Sequence, residues 1–126
     1  MPGLVSLTTD GLIDHCPATP GDTVALITAS SGTHRTLTVP ATAEGIVAHV
    51  QDDGDASPLA SALLGEPIRG HVLFSGPSVA LLHDDMYRFL SLEDAMLLAT
   101  LLMDAADATG ATVTAMSSTG VATYGG

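Results

Sequence analysis

Asp10, Asp14, His15 and Cys16 form the densest group of metal-ligating residue types in this chain. Carboxylate, imidazole and thiolate can all hold a transition metal. Neighbouring residues of a strand project from opposite faces, however, so His15 and Cys16 are poorly placed to share one ion. A buried thiol beside a surface imidazole accounts for them without metal. His83-Asp84-Asp85 offers ligands for a divalent ion, but two successive Asp between apolar runs are turn formers. No metal and no cofactor is expected.

The other chemistry open to these residues is nucleophilic or acid–base. Five histidines (His15, His34, His49, His71 and His83) are candidate bases. A working base must be held by a carboxylate beside a nucleophile, and no spacing here implies that arrangement. His34 and His71 stand at the starts of apolar runs and read as strand-end residues. Cys16 with a distant His and Asp could be drawn as a triad, but any chain of this composition permits that drawing. Ser117-Ser118-Thr119-Gly120 is not followed by a helix, so it does not form the strand–loop–helix cradle that binds phosphate. There is no GxGxxG, GxSxG, HExxH, CxxC or Walker loop. No catalytic residue is assigned, and the balance leans away from an enzyme.

These residues must be positioned by short elements. Residues 4–7 read as a short strand ended by Asp10-Gly11, 12–16 form a second short apolar piece, and Pro17, Pro20 and Gly21-Asp22 mark a loop. Residues 23–29 are apolar and β-branched, and 34–39 alternate. With Ser30-Ser31-Gly32-Thr33 between them, the two runs read as a β-hairpin. Pro40 ends that strand. Ala43, Ile46, Val47 and Val50 then follow helical spacing, with Gly45 counting against the helix. Asp52-Asp53-Gly54-Asp55 is a polar loop. Ser57-Pro58 and Gly65 bracket a short helix over 59–64. Residues 71–75, 78–83 and 86–90 are strand candidates whose short connections predict an antiparallel meander. Ser91-Leu92-Glu93-Asp94 is a capping-box variant opening a helix that stops at Gly110. Residues 111–116 and 121–124 read as final strands, with Ser118-Thr119-Gly120 as their turn. The expected fold is α+β, one domain over 1–126. It has a mostly antiparallel sheet, a long helix over 91–109 and one or two short helices.

That long helix carries the functional expectation. Its polar stripe is Glu93, Thr100, Asp104 and Asp107, interrupted by Leu97. The remaining arc is Leu, Ala and Met, far wider than one sheet covers. Either shorter helices bury the excess or another subunit does. The second account puts an interface at Leu98, Leu101 and Leu102 and predicts a homo-oligomer.

Composition limits the partners. The chain has 126 residues, 46% of them hydrophobic, and its mean hydropathy is +0.40. That suffices for one aliphatic core without disulfides. Fourteen acidic residues face three arginines, Arg35, Arg69 and Arg88, with no lysine, for a net charge of −11. Phosphate backbones need clustered cations, so direct nucleic-acid binding is not expected. The charge suits a basic protein partner, or mimicry of nucleic acid. No run reaches about 20 apolar residues, so no membrane span is expected. Met1 to Asp10 carries no positive charge, so no leader is expected. A lone cysteine suits the cytoplasm.

The stretch 78–109 joins a strand, a turn, Tyr87-Arg88-Phe89-Leu90-Ser91 and a Leu/Ala helix ending near Ala105-Ala106-Asp107. It resembles parts of uncharacterised small proteins from high-GC actinobacteria and their phages. Gly65-Glu66-Pro67-Ile68-Arg69-Gly70 before a strand is similar to those proteins too. The resemblance covers about a third of the chain, transfers no site residue and implies a phage-related accessory or assembly role. The leading expectation is therefore a non-catalytic protein-binding or assembly protein acting as a homo-oligomer. The alternatives are an acidic inhibitor of a basic surface and a small enzyme whose site forms only in three dimensions.

Overall fold

Alternation of buried and half-exposed residues marks the first strand. In β1 (Gly3–Leu7), Gly3, Val5 and Leu7 are buried while Leu4 and Ser6 are half-exposed, the period of two that a strand imposes. β1 forms a hairpin with β2 (Leu12–Pro17) in a register that pairs Val5 with His15 and Leu7 with Ile13. The computed structural model describes residues 3–17, 24–27, 35–39, 45–79, 86–117 and 120–125.

The next two strands depart from the expected hairpin. β3 (Val24–Leu26) and β4 (Arg35–Thr38) do not pair with each other. β4 instead lies antiparallel to β5 (Val47–Val50), with Leu37 opposite Ala48, and Val39 N–H donates to Ile46 C=O at 2.8 Å. This pairing lets Leu37 and Val39 join the same core as Ala48 and Val50, a gain that turn chemistry at 30–33 does not register. The turn and Pro40 lie outside the described residues.

β5 also replaces the expected helix over 43–50. Gly45 sits at φ +90, a conformation closed to the interior of a right-handed helix. Beyond it, Ile46, Ala48 and Val50 are buried at every second residue. The same apolar residues satisfy both periods over this short stretch, and Gly45 decides for the strand. Position 43 lies outside the described residues.

α1 (Pro58–Leu64) follows the polar 52–55 loop. Extended Ser57 precedes it, Pro58 opens it, and left-handed Gly65 (φ +75) ends it. Ser57 Oγ makes no capping bond. Ser61 does the local tying: its hydroxyl donates to Ser57 C=O at 2.7 Å and accepts from Ile68 N–H at 2.9 Å. Nearby, Gly70 must be glycine, because a Cβ there would lie 2.2 Å from Asp53 O.

β6 (Val72–Ser75) sits between β1 and β5 rather than heading a meander. Part of that expectation holds further on. Ser78 bridges Tyr87 antiparallel, and Val79 N–H donates to Met86 C=O at 3.0 Å. β7 (Met86–Arg88), however, leaves the main sheet and pairs with β3 in a separate two-stranded sheet. Residues 80–85 lie outside the described set.

α2 (Leu92–Thr109) begins where the capping box predicts. Ser91 Oγ accepts from Asp94 N–H at 3.2 Å, and Gly110 closes the helix at φ +73. β8 (Thr112–Ser117) and β9 (Gly120–Gly125) form the final hairpin, with Ser117 opposite Gly120. The main sheet runs β4-β5-β6-β1-β2-β8-β9. Its pairings are antiparallel except β2 with β8. The fold is α+β. On one face, cross-strand rows Val5–Phe74–Ala48 and Leu7–Val72–Val50 share a core with Leu59 and Ala60 of α1 and Leu98, Leu102, Ala105 and Ala106 of α2.

Candidate functional site

The opposite face of the sheet holds a buried polar pair. His49 stands between Ala48 and Val50, so strand alternation turns it away from the helices. There its Nε2 lies 2.8 Å from Ser75 Oγ, and its ring meets Tyr87 edge-on, centroids 4.4 Å apart and planes at 81°. A histidine bonded to a serine hydroxyl is the geometry of an activated nucleophile. Two observations count against that use. Ser75 Oγ also donates to Gly76 C=O at 2.9 Å. A hydroxyl has one proton, and while Gly76 C=O holds it, Oγ has none to give Nε2, which is not the arrangement of a general base. Moreover, His49 and Ser75 are 4% and 0% exposed, leaving a substrate no approach. The contact joins the main sheet to the β3–β7 layer, with Tyr87 as the lid. The sequence reading missed it because it placed His49 on a helix. Alternation of Ile46, Ala48 and Val50 was the signal that could have found it.

The metal candidates are dispersed. Asp10 and Asp14 are exposed, and Asp14 and His15 are successive residues of β2. His15 Nε2 is buried with no hydrogen-bond partner. Among the described residues, no three His, Cys, Asp or Glu side chains gather as a metal site would require. The Cys16 side chain, His34 and the 83–85 run lie outside the described set, and His71 is exposed just before β6. Ser117 and Gly120 belong to the β8–β9 hairpin.

Charge is organised more tightly than the sequence shows. Arg35 on β4 reaches Asp52 with both arms of its fork, Nε to Oδ2 at 2.5 Å and Nη2 to Oδ1 at 3.1 Å, and its Nη1 meets Glu66. The hydrogen bonds to Asp52 and then Glu66 raise the guanidinium pKa above its ordinary value, so it stays charged. Arg69 Nε donates to Gly54 C=O at 2.9 Å. Two of the three arginines are thus engaged with the 52–54 loop, leaving exposed Arg88 on β7.

The long sides of α2 differ in exposure. The expected interface residues Leu98 and Leu102 are 1% and 0% exposed, inside the core of their own chain, and Leu101 is half-buried against it. Within the single chain, Leu98 and Leu102 are thus core positions. α1 packs on α2, where its Leu59 and Ala60 share a core with Leu98 and Leu102, and β8 and β9 run close to the same helix. What stays uncovered is another line of residues. Leu92, Met96 and Met103 are 55%, 63% and 38% exposed, and they are the exposed large hydrophobics among the described residues. With exposed Ala99 between them, their spacing of four, three and four places all four on one stripe. Exposed Glu93, Thr100 and Asp104 run along one flank, and α2 contains no basic residue.

No known protein family matches this chain, and no curated protein or solved structure matches it.

Proposed function

We propose that this protein is a non-catalytic protein-binding or assembly module whose docking face is the outer stripe of α2. One observation carries the reading: the large hydrophobics exposed among the described residues fall on a single helical stripe. Scattered apolar residues need no explanation, whereas an aligned set marks an interaction surface. The burial of His49 and Ser75 supports the same reading, because this His–Ser pair is out of substrate's reach. A cytoplasmic location goes with it, since a lone cysteine makes no internal disulfide. Among the described residues no helix is long and apolar enough to cross a membrane.

The test is site-specific photocrosslinking in cells of the source organism. A benzophenone side chain at position 96 should give a discrete protein adduct, homotypic or heterotypic. The same group at Ala62, exposed on α1, should not. Absence of an adduct at position 96 would reject the reading.

A further inference from the structure

We infer that the occupant of this stripe is a basic amphipathic helix from another protein. The inference rests on the binding reading above and names its partner.

The stripe has the shape for a helix. From Leu92 to Met103 it extends about 16 Å at 1.5 Å per residue, three turns, with apolar side chains at the spacing one helix presents to another. Two of its members are methionines, whose unbranched side chains adapt to varied partners. An apolar face with helical anchors is a recurring mode of peptide recognition.

Charge then selects among occupants. A second copy brings another −11 and no lysine. A two-fold axis across antiparallel helices keeps each flank on its own side, so Glu93 and Asp104 of one copy would stand beside those of the other. A parallel pair separates the acid flanks but supplies no cation to either, because α2 has none. An anionic lipid surface repels the same flank. A helix carrying Lys or Arg beside its apolar residues satisfies both halves of the surface. The apolar residues cover the stripe while the cations face Glu93 and Asp104, and the acidic excess of the whole chain speeds their encounter.

The probe is a synthetic helical peptide with leucines at i, i+4, i+7 and i+11 and lysines beside them. Its controls are a peptide with glutamate in place of each lysine and a scramble of the lysine peptide. Fluorescence anisotropy should show the lysine peptide binding at least about tenfold tighter than either control, with affinity falling as salt rises. Met96→Asp should weaken it about tenfold or more, and Met103→Gln should weaken it in the same direction. Glu93→Gln with Asp104→Asn should flatten the salt dependence. Met96 and Met103 are exposed, and circular dichroism checks that each variant remains folded. Equal binding of lysine peptide and scramble overturns the inference. So does a wild-type dimer in sedimentation that Met96→Asp dissociates, which makes a second copy the occupant and leaves the binding reading intact. No selective peptide binding, a wild-type monomer and no crosslink at position 96 together overturn both.

Discussion

The two long sides of α2 are made from the same kinds of residue and have opposite fates. Leu98, Leu102, Ala105 and Ala106 lie in the core, while Leu92, Met96, Ala99 and Met103 face outward. Each set repeats at helical spacing, and each contains leucine. Residue type therefore does not separate the inner side from the outer. The position of α1 does, because α1 packs along the side holding Leu98 and Leu102. A helix that looks apolar nearly all round can thus hold a core face and an exposed apolar face with little polar surface between them.

The largest effect that tests this contrast is at Leu102. It is fully buried, so Leu102→Ala removes apolar contacts and leaves a cavity, costing about 2–5 kcal/mol. Urea denaturation should show a clear drop in midpoint with the slope preserved. If the midpoint barely moved, the inner side of α2 would not be the core side and the contrast would collapse.

A second buried contact carries the comparison to the other face of the sheet. Ser75→Ala removes the hydroxyl that His49 Nε2 bonds while the surrounding layers stay packed. Losing a buried hydrogen-bond partner costs about 1–3 kcal/mol. The same denaturation series should rank this variant below Leu102→Ala, with the helix content seen by circular dichroism unchanged. A loss of helix would mean that the β3–β7 layer supports the helical face, and that the two faces are not separable.

The helix itself is the part most legible from residues alone. Ser91 with Asp94, and Gly110 at the other end, are local devices whose physics acts within a few residues. Ser91→Ala should cost about 1 kcal/mol through loss of the cap, read as a small midpoint shift common to both sides of α2. An unchanged midpoint would mean that the cap adds nothing beyond the packing of the first turn. The strand β1, the final strands β8 and β9 with the turn between them, and α1 with its Pro58 and Gly65 were legible for the same reason: turn and cap residues sit beside the elements they end. Pairings between distant strands were not. Nothing local to 24–27 says that its partner lies at 86–88, and the run at 46–50 suits two periods until Gly45 is known to be at positive φ. The exposed apolar side of α2 belongs to this second class. The sequence showed a surplus of apolar arc on α2, but telling exposed Leu92, Met96 and Met103 from buried Leu98 and Leu102 needed the location of α1.

The smallest expected effect is the sharpest test of the contrast, because it predicts almost no change where residue type alone predicts a large one. Met96→Gln replaces a long apolar side chain in the middle of α2 with a polar one of similar length and similar helix propensity. Were Met96 part of the core, the buried amide would cost several kcal/mol. At 63% exposed, it leaves few contacts to lose, and the denaturation midpoint should stay within about 0.5 kcal/mol of wild type. The same substitution should reduce binding of the lysine peptide, since it removes apolar surface that the peptide would cover. Stability retained with binding lost places Met96 on a face kept for a partner. Stability lost places the stripe in the core and returns α2 to a helix buried on every side.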